Sequence, residues 1–303
     1  MIEFDVEASE AGMRLDVALV RRVPGMSRAR ARTMVEAGEV HVNGRRPRKG
    51  ARLALADRVA LARAPESGEF AARPDADTPL TWAFEDEWLV AVDKPAGMPS
   101  HPLRPSELGT VANALVARFP EMAAVGYHLR EPGILHRLDT DTSGLMLAAR
   151  DEATFEALRT ALRAGRIDKR YVALVEGRLG ETRTIETPIA PHPRDPRRVV
   201  TGDDVEGGRP ARTVVVSLEA WGACTRVEVS ASTATRHQVR AHLASLGHPL
   251  VGDTLYGASA WPGLSRHFLH ASQIAFEHPR LGHEVTLQSA LPVELAAVLD
   301  RAR

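Results

Sequence analysis

Chemistry is densest in one stretch of this 303-residue chain, Ile134–Arg150, which reads ILHRLDTDTSGLMLAAR. His136, Arg137, Asp139, Asp141, Thr142 and Ser143 fall within eight positions. Gly144 closes the polar run and an apolar block, Leu145–Ala149, follows, so the pattern is a polar loop feeding a buried strand. Such loops, held by a rigid sheet, are where catalytic groups tend to sit. Three uses of the stretch compete. Asp139, Thr142 and Ser143 can satisfy backbone donors in an ordinary turn. Asp139, Asp141, Ser143 and Gly144 match the start of an EF-hand calcium loop, but its twelfth position, normally Glu, is Arg150. The third use is a catalytic carboxylate, with Asp139 as the candidate.

Three further places carry reactive residue types. Trp88–Val92 reads as a buried strand that ends at Lys94-Pro95-Ala96-Gly97, where Pro95 stops the strand and Gly97 permits a turn. Lys169-Arg170-Tyr171 opens a strand running to Val175; a Tyr at a strand entrance commonly packs half-buried, and the residues alone leave that use open. Thr233–Ala244 reads as a strand end followed by a helix from about His237 to Leu246. His237 and His242 lie five apart, which is not the spacing that places two histidines on one helix face for a metal. No P-loop or dinucleotide fingerprint is present, and neither a metal nor a cofactor is expected. Cys224 is the only cysteine, so no intramolecular disulfide forms.

The elements that must position these groups divide the chain. Residues 1–63 form a small basic module, 64–80 an exposed linker rich in Pro, Ala and acids, and 81–303 the main domain. From Arg14 to Arg63 thirteen basic residues face four acidic ones, a net +9 in a chain whose total is zero. A basic attachment on an acidic body suggests a nucleic-acid contact. In it, Ser27 caps a helix over Ser27–Ala37 that Gly38 stops. The helix projects Arg28, Arg30 and Arg32 away from a thin apolar face. Asn43-Gly44 signals a hairpin, with Arg45 and Arg46 just beyond it and a strand over Leu53–Leu61. In the main domain, helices are expected over Glu107–Phe119, Asp151–Arg166 and from Pro292. Thr213–Trp221 and Thr225–Ser230 read as an antiparallel pair, and residues 181–211 as a surface excursion. The N-terminus lacks a signal-peptide core and no apolar run reaches membrane-spanning length, so a cytoplasmic chain without membrane contact is expected.

His136-Arg137-Leu138-Asp139, followed by Thr142-Ser143-Gly144 and an apolar strand, resembles the signature of the RluA-type pseudouridine synthases. Lys94-Pro95, Lys169-x-Tyr171, His237-Gln238-x-Arg240 and Gly252-Asp253-x-x-Tyr256-Gly257 match further motifs of that family in the same order. One departure stands out: the family pattern Thr-Gly-Arg-Thr-His-Gln reads Thr233-Ala234-Thr235-Arg236-His237-Gln238 here, moving an Arg by one residue. The N-terminal order, with Arg14-Leu15-Asp16, Ser27-Arg28, Val42-Asn43-Gly44 and Asp57-Arg58-Val59, resembles the alpha-L RNA-binding domain.

The resemblance implies an α+β chain: a catalytic domain with a mixed, largely antiparallel sheet flanked by helices, plus the small RNA-binding domain. It implies an RNA pseudouridine synthase, an isomerase that breaks the uridine glycosidic bond, turns the uracil and rejoins it through carbon-5. Asp139 is then the catalytic carboxylate, as nucleophile or as proton acceptor. Arg240 pairs with it, Tyr171 stacks on the base, Arg137 fills the space that the base vacates, and His136 belongs to the substrate site. Arg28, Arg30, Arg32, Arg45 and Arg46 contact RNA phosphates. By analogy with enzymes that carry such a module, the substrate is large-subunit ribosomal RNA and the protein a monomer. A transfer-RNA synthase and a non-catalytic RNA-binding assembly factor stay open, and a base-releasing glycosidase would instead yield free uracil.

Overall fold

Two units make up the chain, Met1–Thr78 with His101–Gly133 and Pro79–Ser100 with Ile134–Arg303. The computed structural model describes residues 2–23, 26–48, 50–62, 70–231, 233 and 235–302. In the first unit, β1 (Ile2–Asp5), α1 (Leu15–Arg22), α2 (Arg28–Ala37), β2 (Val40–Val42) and β3 (Arg58–Leu61) enclose a core of Leu15, Leu19, Met26, Met34, Val59 and Leu61. The antiparallel sheet runs β1-β3-β2, so β1 adds a strand to the elements expected there. The Ser27 hydroxyl accepts from the Arg30 N–H at 3.1 Å and starts α2, and Gly38 stops it at φ 76°. The Asn43-Gly44 turn forms, closed by reciprocal Val42–Arg45 bonds of 2.9 and 3.0 Å. The strand expected over Leu53–Leu61 is confined to Arg58–Leu61. Asp57 accepts from the Ala54 N–H at 2.7 Å, and Ala56 is left-handed at φ 63°, so residues 54–57 turn.

The arginines of α2 do not all project outward. Arg28 is 1% exposed, donates Nε and Nη2 to Asp16 at 3.2 and 3.1 Å, and lies 4.7 Å over the Tyr127 ring. Its expected place among the RNA contacts is therefore corrected: Arg28 is an internal cation whose carboxylate and aromatic partners come from elsewhere in the unit. Arg32 lies 4.5 Å over the same ring; Arg30 and Arg32 are half-buried, while Arg45 and Arg46 are exposed. Burial pushes the Asp16 pKa up, and the Arg14 hydrogen bond and the charge of Arg28 outweigh it, so the carboxyl titrates below its usual value.

The second half of the expected linker is mostly exposed but anchored; residues 63–69 lie outside the described residues. Ala72 is buried and its N–H donates to the Leu129 carbonyl at 3.1 Å. Asp75 donates its N–H to Asn113, and its carboxylate accepts from Thr78 at 2.7 Å and Gly109 at 3.1 Å. Asn113 lies in the first turn of α3 (Val111–Arg118), which Thr110 caps; the helix expected from Glu107 begins there instead.

The second unit is built on a nine-stranded sheet. Its strands are β4 (Thr81–Glu85), β5 (Leu89–Lys94), β6 (Ser143–Ala149), β7 (Asp168–Glu176) and β8 (Arg183–Ile185), then β11 (Thr213–Trp221), β12 (Cys224–Ala231), β13 (Leu269–Glu277) and β14 (Glu284–Gln288). β9 (Ile189–Pro191) and β10 (Val199–Thr201) pair separately. The order is β4-β5-β6-β13-β7-β12-β11-β8, with β14 on β13. Every pair is antiparallel except β6–β13, which joins Ser143 to His270 and Gly144 to Ala271. A Cβ on Gly144, at φ 115°, would lie 2.2 Å from the Ala271 carbonyl oxygen, so this crossing requires glycine. All seven residues of β6 are buried, as a continuous apolar run suggests for a central strand.

Helices α4 (Glu152–Arg163), α5 (Gln238–Ser245) and α6 (Val293–Ala302) complete the unit. Asp151 caps α4 by accepting from the Thr154 N–H at 2.9 Å. Residues 181–211 are largely exposed, as the excursion expected of them, but a few apolar residues anchor the segment. Ile189, Val199 and Ala211 are buried with Ala241 of α5 and Tyr256. The strands there are three residues long, too short to display a period. Among the described residues no helix is long and apolar enough to cross a membrane.

Candidate active site

The loop before β6 is held by donors that reach its carbonyls. Lys94, fully buried at the end of β5, donates to Pro95 O at 3.0 Å and to Met98 O and Thr140 O at 2.8 Å. The Gly97 N–H shares Thr140 O at 2.9 Å, and Ser100 Oγ donates to Leu138 O at 2.8 Å. From the other side Arg266 donates to Asp141 O at 3.0 Å and to Ser143 Oγ at 3.1 Å. Thr142 Oγ1 meets His267 Nε2 at 2.8 Å. Burial pushes the Lys94 amine down to about 7, although Asp139 and Asp141 pull the other way. Lys94, Ser100 and Arg266 thus fasten the loop on both flanks of Asp139.

Asp139 Oδ2 accepts from Arg240 Nη1 at 3.1 Å. The same guanidinium is fixed by Asp253, Nε to Oδ2 at 2.7 Å and Nη2 to Oδ1 at 2.8 Å, and lies 5.1 Å over the Tyr256 ring. α5 aims Arg240 at the loop, since the helix starts just beyond His237, which holds a left-handed φ of 53°. His237 Nε2 lies 3.8 Å from Asp139 Oδ2, and its Nδ1 is 3.0 Å from the Tyr256 hydroxyl. The Tyr256 oxygen also accepts from the Val199 N–H at 2.9 Å.

Burial works to raise the Asp139 pKa. The charges of His237, when protonated, and of Arg240, with the Arg240 hydrogen bond, outweigh it and hold the carboxyl below its usual value. Burial in turn lowers the His237 pKa, so at neutral pH the standing positive charge at Asp139 is that of Arg240.

Asp139 opens into a cleft that Arg137, Lys169, Tyr171, His237 and Arg240 also line. A second, wider groove shares Asp139 and runs past Arg197, Arg236, Asp253 and His267. Lys169 and Tyr171 occupy alternate positions of β7 and face the same side, with Tyr171 only 7% exposed. Burial, then the nearby Asp139 charge, raises the Tyr171 pKa, so its hydroxyl stays protonated.

Four of the expected site residues, Arg137, Asp139, Tyr171 and Arg240, thus meet in one cleft. His136 does not, which corrects its place in the substrate site. Its ring turns inward behind β6, where Nε2 accepts from the Leu147 N–H at 3.3 Å, and it lines neither opening. Burial, with the charges of Lys169 and Arg159, pushes it down to about 3, so it is neutral. Arg236 does not reach Asp139 either; it donates to Pro196 O at 2.9 Å and Arg197 O at 2.5 Å. His237, Asp253, Tyr256 and His267 complete the surroundings of Asp139 without having been singled out as site residues. The Gly252-Asp253-x-x-Tyr256-Gly257 motif was the signal that pointed to two of them.

Residues 88–245 match the family model for RNA pseudouridylate synthase, and residues 13–59 match the S4 domain. The chain belongs to the RNA pseudouridylate synthase family. An uncharacterized RNA pseudouridine synthase of Chloroflexus aurantiacus is 40% identical over 98% of this chain and 93% of that protein. The ribosomal large subunit pseudouridine synthase D of Nitrosomonas europaea is 35% identical over 100% of this chain and 88% of its own. Among solved structures, human RNA pseudouridylate synthase domain containing 1 has the same fold, with a TM-score of 0.57 at 24% identity over 76% of this chain and 90% of that one. The protein is accordingly an RNA pseudouridine synthase with an N-terminal S4 domain.

Proposed function

We propose that this pseudouridine synthase isomerises uridines of large-subunit ribosomal RNA in the cytoplasm, as a monomer, with Asp139 as the catalytic carboxylate. The observation that carries the reading is the Asp139–Arg240–Asp253 chain at the mouth of a cleft that also holds Tyr171. Arg240 keeps Asp139 ionised despite its burial, and Asp253 keeps Arg240 from following substrate or solvent. An ionised carboxylate at the cleft mouth is placed to act on the ribose, as a nucleophile at carbon-1′ or as a base at carbon-2′. Tyr171 offers a buried aromatic wall to the uracil, and base stacking on such a wall contributes about 1–3 kcal/mol. The uridine must leave its stack to reach this depth, and the exposed Arg137 stands where it can occupy the gap. Arg45 and Arg46 in the S4 domain serve phosphate contacts. The ribosomal substrate rests on the names of relatives such as the Nitrosomonas enzyme.

Carbodiimide mapping of pseudouridines in total RNA, with and without the gene, tests this. The expected result is a large-subunit ribosomal site that disappears and is not restored by Asp139→Asn. A site lost only from transfer RNA would overturn the substrate, and restoration by Asp139→Asn would overturn the role of Asp139.

A further inference from the structure

Lys169 is a buried cation in the cleft that the chemistry above leaves without a task. It is 3% exposed. Its single hydrogen bond among the described residues runs to the Thr233 carbonyl oxygen at 3.3 Å, a long contact that uses one of three ammonium donors. Burial alone lowers its pKa, to about 8, and no carboxylate offsets it. A buried ammonium without a counter-ion is costly unless an acceptor arrives. Arg240 is committed to Asp139 and Asp253, so it is not free to serve a ligand.

The position along β7 indicates what Lys169 would meet. Lys169 lies two residues before Tyr171 on the same face of β7, about 7 Å along the strand, and lines the same cleft. A uracil stacked on Tyr171 with its ribose at Asp139 turns its far edge, which bears carbonyl oxygens, toward the ammonium.

We propose that Lys169 is a catalytic residue that binds a uracil carbonyl and carries the negative charge of the base while it is detached from the ribose. This rests on the reading of the cleft given above. When the bond from carbon-1′ to nitrogen-1 breaks, its electron pair leaves with the base, and the resulting anion spreads onto the carbonyl oxygens. The ribose is left as an ester of Asp139, or as a glycal if Asp139 has taken the carbon-2′ proton. Carbon-5 of the turned base then bonds to carbon-1′, and Asp139 is released or returns its proton. The carbon-5 proton is lost and nitrogen-1 takes one up. Lys169 keeps its own proton throughout and acts by charge. The base becomes free to turn in the cleft because an ammonium can exchange one carbonyl for the other.

The test compares Lys169→Met, Lys169→Arg and Asp139→Asn in the full chain. Single-turnover tritium release is followed at saturating concentration, using carbon-5-labelled total RNA from cells lacking the gene. Lys169→Met should lose roughly 100-fold in rate, as for removal of a buried donor to developing charge, with RNA affinity unchanged. Lys169→Arg should recover part of the rate. The wild type should lose activity as pH rises through about 8, and Lys169→Arg should not. The other titratable and charged groups that face the cleft or lie behind it, Arg137, Asp139, Tyr171, His237, Arg240, His267, the inward His136 and Lys94 under the loop, are common to both proteins, so any limb they give appears in both and the difference between the profiles is read. Wild-type rate in Lys169→Met, a loss that appears only as weaker RNA binding, or the same alkaline limb in Lys169→Arg would each overturn the proposal. If Lys169→Met does not fold, the pH profiles decide. An active Asp139→Asn would unseat the reading of Asp139 instead, whatever the Lys169 variants do.

Discussion

Replacing Arg240 by Met separates what the guanidinium does for folding from what it does for Asp139. The side chain is nearly buried and bonds two carboxylates, Asp139 at 21% and Asp253 at 1% exposure. Removing it strands the Asp253 charge in the interior. Breaking one partner from a buried pair costs about 3–5 kcal/mol, which for a unit of this size lowers the melting temperature by about 10 °C. The Asp139 pKa rises once the cation is gone, so the acid limb of the pH–rate profile moves to higher pH. The rate at neutral pH should fall roughly 100- to 1,000-fold, the range for losing one preorganised donor from a buried charged site. Adding Asp253→Asn to Arg240→Met removes the stranded charge. The double variant should regain most of the melting temperature and none of the rate. Differential scanning fluorimetry with single-turnover tritium release measures both. Recovery of rate in the double variant would refute the assignment of Arg240 to Asp139, and an unchanged melting temperature in the single variant would refute the account of Asp253.

Stability should decline with acid before the carboxylates titrate. His136 and His267 are pushed down by burial to about 3 and about 4, so each favours the folded state fully above 6.5 and loses that contribution as pH falls toward its folded value. Melting temperature against pH should therefore slope between pH 6.5 and 4, and His136→Gln should flatten the slope. Gly144→Ala meets the Ala271 backbone and should cost upwards of about 3 kcal/mol, read as a loss of folded protein or a large drop in melting temperature. Arg236→Ala frees the turn bearing Arg197; RNA affinity and its salt dependence should fall while the saturated rate holds. Arg45→Ala with Arg46→Ala should reduce the salt slope of RNA binding, whereas Arg28→Ala should lower stability first, as the difference between an exposed and an internal arginine requires.

Local signals carried far. Ser27, Gly38 and Asp151 mark helix limits because the cap itself is a short-range bond, and the alternation of β7 places Lys169 and Tyr171 on one face. The burial of Arg28 is not legible along α2, because its partners, Asp16 and Tyr127, lie 12 and 99 positions away in sequence and no period reveals them. The inward turn of His136 is not legible either, because a loop has no period and the turn follows from the Leu147 N–H that the ring accepts. The shift of Arg236 by one residue was visible in sequence, while its consequence, a grip on the Pro196–Arg197 carbonyls, needed the fold.

The grouping of residues 101–133 with the N-terminal elements bears on how such a protein is inherited. The Ala29 N–H reaches the Tyr127 carbonyl at 3.0 Å, and Ala72 reaches Leu129 at 3.1 Å. A gene break near codon 80, the obvious seam for gaining or losing an RNA-binding attachment, would leave Tyr127 without both guanidiniums and those carbonyls without their donors. The attachment is bonded to a later stretch of the chain as well. Swapping it between enzymes therefore calls for exchanging two separated segments at once, and single-crossover recombinants should be insoluble more often than those that carry both.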